Sequence, residues 1–264
     1  PKNERIAVKA KSVFDTSKRY FYVSPYMHKM AFTEKFEANN LITTIPAPPA
    51  LLANNLRASL IKNRIPISGK VINRVTDPNP EERQFLAKYS SPTMVDIIYF
   101  TNQKSDNALA ESLLKTVGFY KTGNVSLESG RETIVRHLEE KRYDFDGLVL
   151  ADGSGLSRAN KVKPISQVKF LADVMKEKYY DDFLKSLPIA GETGTLRRMF
   201  KSGNNYGQIF AKTGTLNGVK CLAGYIKTRD GRILSFSLLI NGYLGSVDQI
   251  KARMEQLLEP VIDL

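Results

Sequence analysis

The sequence contains no tryptophan, one cysteine and two histidines, and each scarcity removes a class of chemistry. A single thiol, Cys221, permits no internal disulfide, and within a strand-like run it reads as a small buried hydrophobe. His28 and His137 stand far apart with no acidic or thiol cluster around either, so neither a metal ion, another cofactor nor a Ser-His-Asp triad is expected. No run approaches the roughly 18 apolar residues of a membrane-crossing helix. No leader-like segment opens the chain either. It begins at Pro1 and reads as a processed or trimmed product, which leaves export open.

What is present suits a folded protein. At 264 residues with 42% apolar content, the chain can bury a sizeable core as one large domain or two small ones. Its net charge of +12 speaks to partners rather than fold. The lysines and arginines are scattered among acids and form no basic block interleaved with aromatics, so nucleic acid is not the expected partner. An anionic surface or an acidic substrate fits better.

Taken in order, residues 4–36 carry Ile6-Ala7-Val8 and Tyr20-Phe21-Tyr22-Val23, extended runs that need a partner sheet. Ile45 to Pro49 reads as a rigid linker, followed by a helix through Leu51, Leu56 and Leu60. Ile65 to Ile72 is expected as a strand leading to a polar loop, Asp77 to Glu82. Ser91-Pro92 opens a helix with Met94, Val95 and Ile98 on one face. Lys104-Ser105-Asp106-Asn107 then connects it to an amphipathic helix built on Leu109, Leu113, Leu114 and Val117, and taken alone that tetrapeptide reads as a helix N-cap. Ser129 and Glu132 read as a capping box for a helix to about Lys141. Leu148-Val149-Leu150 is a short strand, Asp152-Gly153-Ser154-Gly155-Leu156-Ser157 a ligand-approaching loop without phosphate-loop spacing, and Pro164 the start of a helix to about Lys178.

The most unusual stretch is Ile209-Phe210-Ala211-Lys212-Thr213-Gly214-Thr215-Leu216, which sets a cation and hydroxyls in a strand that otherwise reads as core. Asn217-Gly218 is a strong hairpin signal, and Arg229-Asp230-Gly231 makes a second turn. Residues 208–241 are therefore expected as a three-stranded antiparallel meander. Ser246 and Gln249 cap a final helix whose Ile250, Met254, Leu257 and Leu258 cover one face of the sheet.

Penicillin-binding serine acylators combine Ser-x-x-Lys, Ser-x-Asn and Lys-Thr-Gly. The serine nucleophile needs an amine to take its proton, the second serine relays a proton to the leaving group, and the Lys-Thr-Gly strand binds a carboxylate while glycine leaves room. Ser105-Asp106-Asn107 and Lys212-Thr213-Gly214 supply the second and third elements. Three Ser-x-x-Lys matches exist, at Ser59, Ser112 and Ser166. Such a nucleophile stands at a helix N-terminus. Ser59 and Ser112 fall within helices and Ser166 follows the second motif, so none suits the role and the nucleophile is unassigned.

With Ala110-Glu111, Asp152 to Arg158 with Asn160, Leu187-Pro188-Ile189-Ala190-Gly191 and Gly194-Thr195-Leu196 added, the sequence resembles the low-molecular-mass class C penicillin-binding proteins, D-alanyl-D-alanine carboxypeptidases and endopeptidases, from about Ala50 onward. The resemblance implies an α/β (α+β) fold, an antiparallel sheet flanked by helices as in penicillin-binding proteins and β-lactamases. It implies that residues 1–48 are an extended β-rich remnant of an inserted domain and 49–264 the C-terminal part of the penicillin-binding domain. Ser105 and Asn107 would face the attacking serine. Lys212 and Thr213, with Gly214 giving access, would bind the carboxylate of a peptidoglycan stem peptide or a β-lactam, and the Thr215 N–H would form half of the oxyanion hole. The cell envelope or periplasm is the implied location. The first motif has no counterpart, so a wall of the site without its nucleophile is expected. The alternatives are a non-catalytic peptidoglycan-binding module and a compact β-lactamase-like enzyme using Ser59.

Overall fold

The computed structural model describes residues 14–15, 20–21, 48–72, 88 and 90–264. The chain divides into two compact units, Pro1–Ala87 and Lys88–Leu264. Ile6 to Val8, His28, the Ile45 to Ala47 part of the expected linker and the loop Asp77 to Glu82 lie outside the described residues.

In the first unit, β1 (Phe14–Asp15) pairs antiparallel with β2 (Tyr20–Phe21). The helix α1 (Pro48–Lys62) begins on two prolines, whose fixed φ suits a first turn. It ends where Arg64 takes a positive φ of 62° and Ile65 N–H returns to Leu60 O at 3.0 Å. The strand expected over 65–72 does not form. Pro66 has no N–H, Gly69 sits at φ 106°, and no strand among the described residues pairs with the segment.

The second unit is layered on a sheet of β3 (Ile209–Leu216), β4 (Val219–Lys227) and β5 (Ile233–Asn241) in the order β3-β4-β5, antiparallel throughout. This is the expected meander. The register Thr213↔Leu222, Thr215↔Lys220 and Ala211↔Gly224 follows from a two-residue loop at Asn217-Gly218, with Gly218 at φ 74°. Side chains alternate between two cores. On one face, Ile209, Ala211, Leu222 and Ile226 pack with Leu196, Met199 and the Ile250, Met254 and Leu258 stripe of α7 (Val247–Leu258). On the other, Tyr225 and Phe210 pack with Leu171 and Leu187 and with Phe183. These come from α5 (Pro164–Val174), α6 (Tyr180–Ser186) and the segment after α6.

Ahead of the sheet run α2 (Met94–Lys104), α3 (Asn107–Thr122) and α4 (Leu127–Glu140). The last two helices cross where Gly118 meets Gly130. A Cβ on Gly118 would lie 2.5 Å from Gly130 N, and one on Gly130 would lie 2.4 Å from Leu114 O. That contact also sets the start of α4. The expected cap at Ser129 is corrected to Ser126, whose hydroxyl accepts from Ser129 N–H at 3.0 Å while the Ser129 side chain reaches back. Ser129 is buried at the crossing.

The expected helix from Pro164 to Lys178 stops at Val174, where Lys176 and Glu177 N–H groups turn back to Asp173 and Val174 carbonyls. The short helix α6 then follows, which periodicity did not reveal. The strand expected at 148–150 is reduced to one bridge between Val149 and Lys161.

Candidate functional site

The tetrapeptide between α2 and α3 divides its work by residue. Ser105 ends α2 in the left-handed region, φ 53° and ψ 51°. Asp106 caps α3, its carboxylate accepting from Leu109 N–H at 2.9 Å. Asn107 is the first residue of α3, exposed, with no side-chain hydrogen bond among the described residues. The N-cap role expected for this tetrapeptide belongs to Asp106 and leaves Ser105 free to turn elsewhere.

Ser105 turns toward β3. Lys212 Nζ donates to Ser105 Oγ at 2.7 Å and to Thr213 O at 2.8 Å. Burial, then the nearby Lys220 cation, holds the Lys212 ammonium below its ordinary pKa. Thr213 Oγ1 donates to Thr195 Oγ1 at 2.9 Å, which ties β3 to the 3₁₀ turn Gly194–Leu196. Sequence reasoning quoted Thr195 only as part of a motif. On the next register step Lys220 Nζ donates to Thr215 Oγ1 at 2.6 Å. Lys220 is only 4% exposed and was not singled out. The signal was there in parity, because Lys220 shares its strand face with the core residues Leu222 and Ile226.

The precision of the Ser105–Lys212 contact comes from a hydrogen-bonded path. Asn102 Nδ2 donates to Ser186 Oγ at 2.8 Å and Gln103 Nε2 to Ser186 O at 3.1 Å, fixing the end of α2 on α6. The next residues of the chain run along β3: Ala211 N–H donates to Pro188 O at 3.0 Å and Ala190 N–H to Ile209 O at 2.9 Å. Gln103 and Ser186 are buried, which shields the bond between them from water.

The same bonds define the edge of the sheet. Residues 209 and 211 present their backbone groups outward to 188–190, and Lys227 N–H bonds Gln208 O at 2.9 Å on the inner side. Odd-numbered residues of β3 therefore face out. Beyond Ala211 no described backbone group pairs with the outer side of the strand. The N–H groups of Thr213 and Thr215 point along an open edge with no partner among the described residues.

The loop of residues 152–160 stands beside this edge, bonded to both neighbouring elements. Glu111 on α3 accepts from Gly153 N–H at 3.3 Å, Ser154 N–H at 3.2 Å and Ser154 Oγ at 2.8 Å. Arg158 Nη2 donates to Asn217 O at the hairpin tip, at 3.0 Å. Within the loop, burial works to raise the Asp152 pKa, but bonds from Asn160 Nδ2 and from the Ser157 and Gly155 N–H groups outweigh it and hold the carboxyl low. The loop is a brace between α3 and the β3–β4 hairpin.

No Ser-x-x-Lys match behaves as a nucleophile pair. Ser59 lies in the last third of α1. Ser112 Oγ donates to Ala108 O within α3. Ser166 Oγ donates to Asp146 O, while Lys169 pairs with Asp144 at 2.7 Å. Among the described residues no group of three or more His, Cys, Asp and Glu side chains could hold a metal ion, and no helix is long and apolar enough to cross a membrane. Cys221 is half-buried beside Gly214, less enclosed than expected, and burial raises its pKa.

Residues 17–260 match the family model of D-Ala-D-Ala carboxypeptidase 3 (S13). The chain belongs to that family. Within it, D-alanyl-D-alanine carboxypeptidase DacB of Haemophilus influenzae is 31% identical over 221 residues, 83% of this chain and 46% of that protein. A crystal structure of penicillin binding protein 4 (dacB) from the same organism, complexed with a novel β-lactam, matches with a TM-score of 0.74 and 29% identity over 84% of this chain and 53% of that one. The TLA-3 extended-spectrum β-lactamase shares the fold at TM-score 0.50 and 17% identity, over 80% of each chain. The resemblance read from the motifs is thus the family found, and the mixed helix and antiparallel-sheet fold is the fold of penicillin-binding proteins and β-lactamases. The S13 chain described here spans about half the length of the curated relatives it matches.

Ser105 carries a testable cost. A non-glycine residue at φ 53° is strained, and Ser105→Gly is expected to raise stability by up to about 1 kcal/mol while removing the hydroxyl that Lys212 contacts. Ser105→Ala, which keeps the strain, gains nothing. Thermal unfolding of both variants separates the two effects.

Proposed function

We propose that this S13 chain forms the carboxylate-binding wall of a serine-type D-Ala-D-Ala carboxypeptidase or endopeptidase acting on peptidoglycan stem peptides in the cell envelope. The observation that carries the reading is the 2.7 Å contact between Lys212 Nζ and Ser105 Oγ, two motif residues 107 positions apart. In this reading Lys212, together with the Thr213 hydroxyl once it turns from Thr195 Oγ1 to the ligand, receives the C-terminal carboxylate of an acyl-D-Ala-D-Ala peptide or the carboxylate of a β-lactam. The open N–H of Thr215 donates to the carbonyl oxygen that becomes an oxyanion during acyl transfer. Ser105, held by a lysine whose proton affinity burial has lowered, passes a proton toward the leaving amine. Asn107, exposed on the first turn of α3, orients the group that attacks.

The attacking serine has no counterpart among the described residues, so the chain is read as binding these ligands without being acylated. Titrating the protein with an acyl-D-Ala-D-Ala peptide, followed by nuclear magnetic resonance, is expected to shift amides of Thr213 and Thr215. Incubation with a fluorescent penicillin is expected to leave no covalent label. A stable adduct mapped to Ser59 would overturn the assignment in favour of the compact β-lactamase-like alternative. No amide shift at β3 would overturn the carboxylate wall itself.

A further inference from the structure

Lys220 is a cation with no structural need to be one. It is 4% exposed on the face of β4 that carries Leu222 and Ile226, and no carboxylate pairs with it among the described residues. The neighbouring charged group on α7, Lys251, repels it and is itself paired to Asp248 at 3.0 Å. Lys212 on β3 stands near enough for the Lys220 charge to repel it. A buried ammonium without a counter-ion is costly, and an apolar side chain of the same length would pack there at no such cost.

Its one side-chain hydrogen bond among the described residues points to what the charge does. Lys220 has only donors, so its 2.6 Å contact makes Thr215 Oγ1 the acceptor. The Thr215 hydroxyl hydrogen is then free to be donated, and it belongs to an exposed residue on the open edge of β3. An ammonium bonded to a hydroxyl oxygen polarises the O–H and favours an anionic acceptor at its far end.

We infer that Lys220 is a positioning residue for anion recognition, which turns Thr215 into a charge-backed hydroxyl donor to the ligand carboxylate. The inference rests on the carboxylate-binding reading above and deepens it. Lys220 never meets solvent or ligand directly and acts through Thr215. It makes the site favour a free carboxylate over an amide at the same position, because a hydroxyl polarised by an ammonium group gains most from full negative charge.

The test compares binding of an acyl-D-Ala-D-Ala peptide and its C-terminal amide to the wild type, Lys220→Met, Lys220→Arg, Thr215→Val and Lys212→Met. Lys220→Met is expected to bind the acid roughly tenfold more weakly, to lose most of the acid-over-amide preference, and to unfold at the same temperature or higher. Arginine at 220 should restore much of the preference. The Lys220→Met, Thr215→Val double variant should be no weaker than either single one, since both remove the same donor. If Lys212→Met abolishes binding while Lys220→Met keeps wild-type affinity and selectivity, this inference is wrong and the carboxylate wall stands. If Lys220→Met fails to fold, the charge is structural and the inference is wrong. If the wild type binds neither ligand, the underlying reading falls and takes this one with it.

Discussion

Lys212→Met is expected to weaken binding of an acyl-D-Ala-D-Ala ligand by about 30-fold or more. An ammonium has three N–H donors. Two are spent on Ser105 Oγ at 2.7 Å and Thr213 O at 2.8 Å, which leaves the third for an incoming carboxylate. Removing one partner of a largely desolvated charged contact costs about 2–5 kcal/mol in comparable interfaces, because the other partner is left buried and unpaired. Methionine also leaves the Thr213 carbonyl without its donor. The expected signature is loss of affinity with folding intact, read by calorimetric titration beside thermal unfolding.

The pH dependence has a definite sign. Burial lowers the Lys212 pKa below 10.5 in the folded protein, so the folded state releases this proton before the unfolded state does. Between the lowered value and 10.5 the unfolded chain binds more protons, and stability attributable to this residue rises with pH. Ligand affinity runs the other way, falling as the ammonium deprotonates over the same window. Lys212→Met should flatten both trends, which titrations at several alkaline pH values would reveal. An unchanged affinity slope in the variant would mean that the carboxylate is held elsewhere.

Gly224→Ala is expected to be the most damaging single methyl addition in the sheet. Gly224 lies opposite Ala211 in the β3–β4 register. A Cβ there would sit 2.1 Å from Phe210 O, 2.6 Å from Ala211 Cα and 2.8 Å from Ala211 Cβ. Two of those atoms are backbone, and Ala211 is itself 0% exposed, so no flexible side chain can yield. Overpacking of this kind costs about 3 kcal/mol, which lowers the unfolding midpoint by roughly 6–12 °C in a domain of this size. Because Ala211 adjoins Lys212, displacing β3 also lengthens the contact to Ser105. Denaturant unfolding and ligand titration should therefore fail together in this variant, in contrast to Lys212→Met.

The parts of the molecule legible in the sequence were those governed by local chemistry. Asn217-Gly218 between alternating runs specified the hairpin and its register. Ser246 with Gln249 specified the start of α7, and Ser105 and Lys212 were legible as members of one motif set, while the contact between them came from the structure. Local chemistry misled where tertiary contacts chose between equals. Ser126 and Ser129 are both good caps, and the close approach of Gly130 to α3 buried the second and left the first as cap. Ile65 to Ile72 has strand-like residues without a strand to pair with. The helix α6, Tyr180–Ser186, spans too few turns for a period to show. Lys220 escaped because a lysine near a hairpin tip is read as solvated, and only its parity with Leu222 and Ile226 reveals that it faces inward.

The open edge of β3 is closed at one end. Pro188 to Ala190 runs antiparallel beside Ile209 to Ala211 and occupies the first stretch of the ladder, so only Thr213 and Thr215 offer outward N–H groups. A chain laid antiparallel along them would travel toward Pro188 and stop there. On the proposed carboxylate-binding reading, the edge would serve as a berth for a C-terminus rather than a track for a passing strand. Another copy of the protein finds too little ladder on it to add a strand of its own.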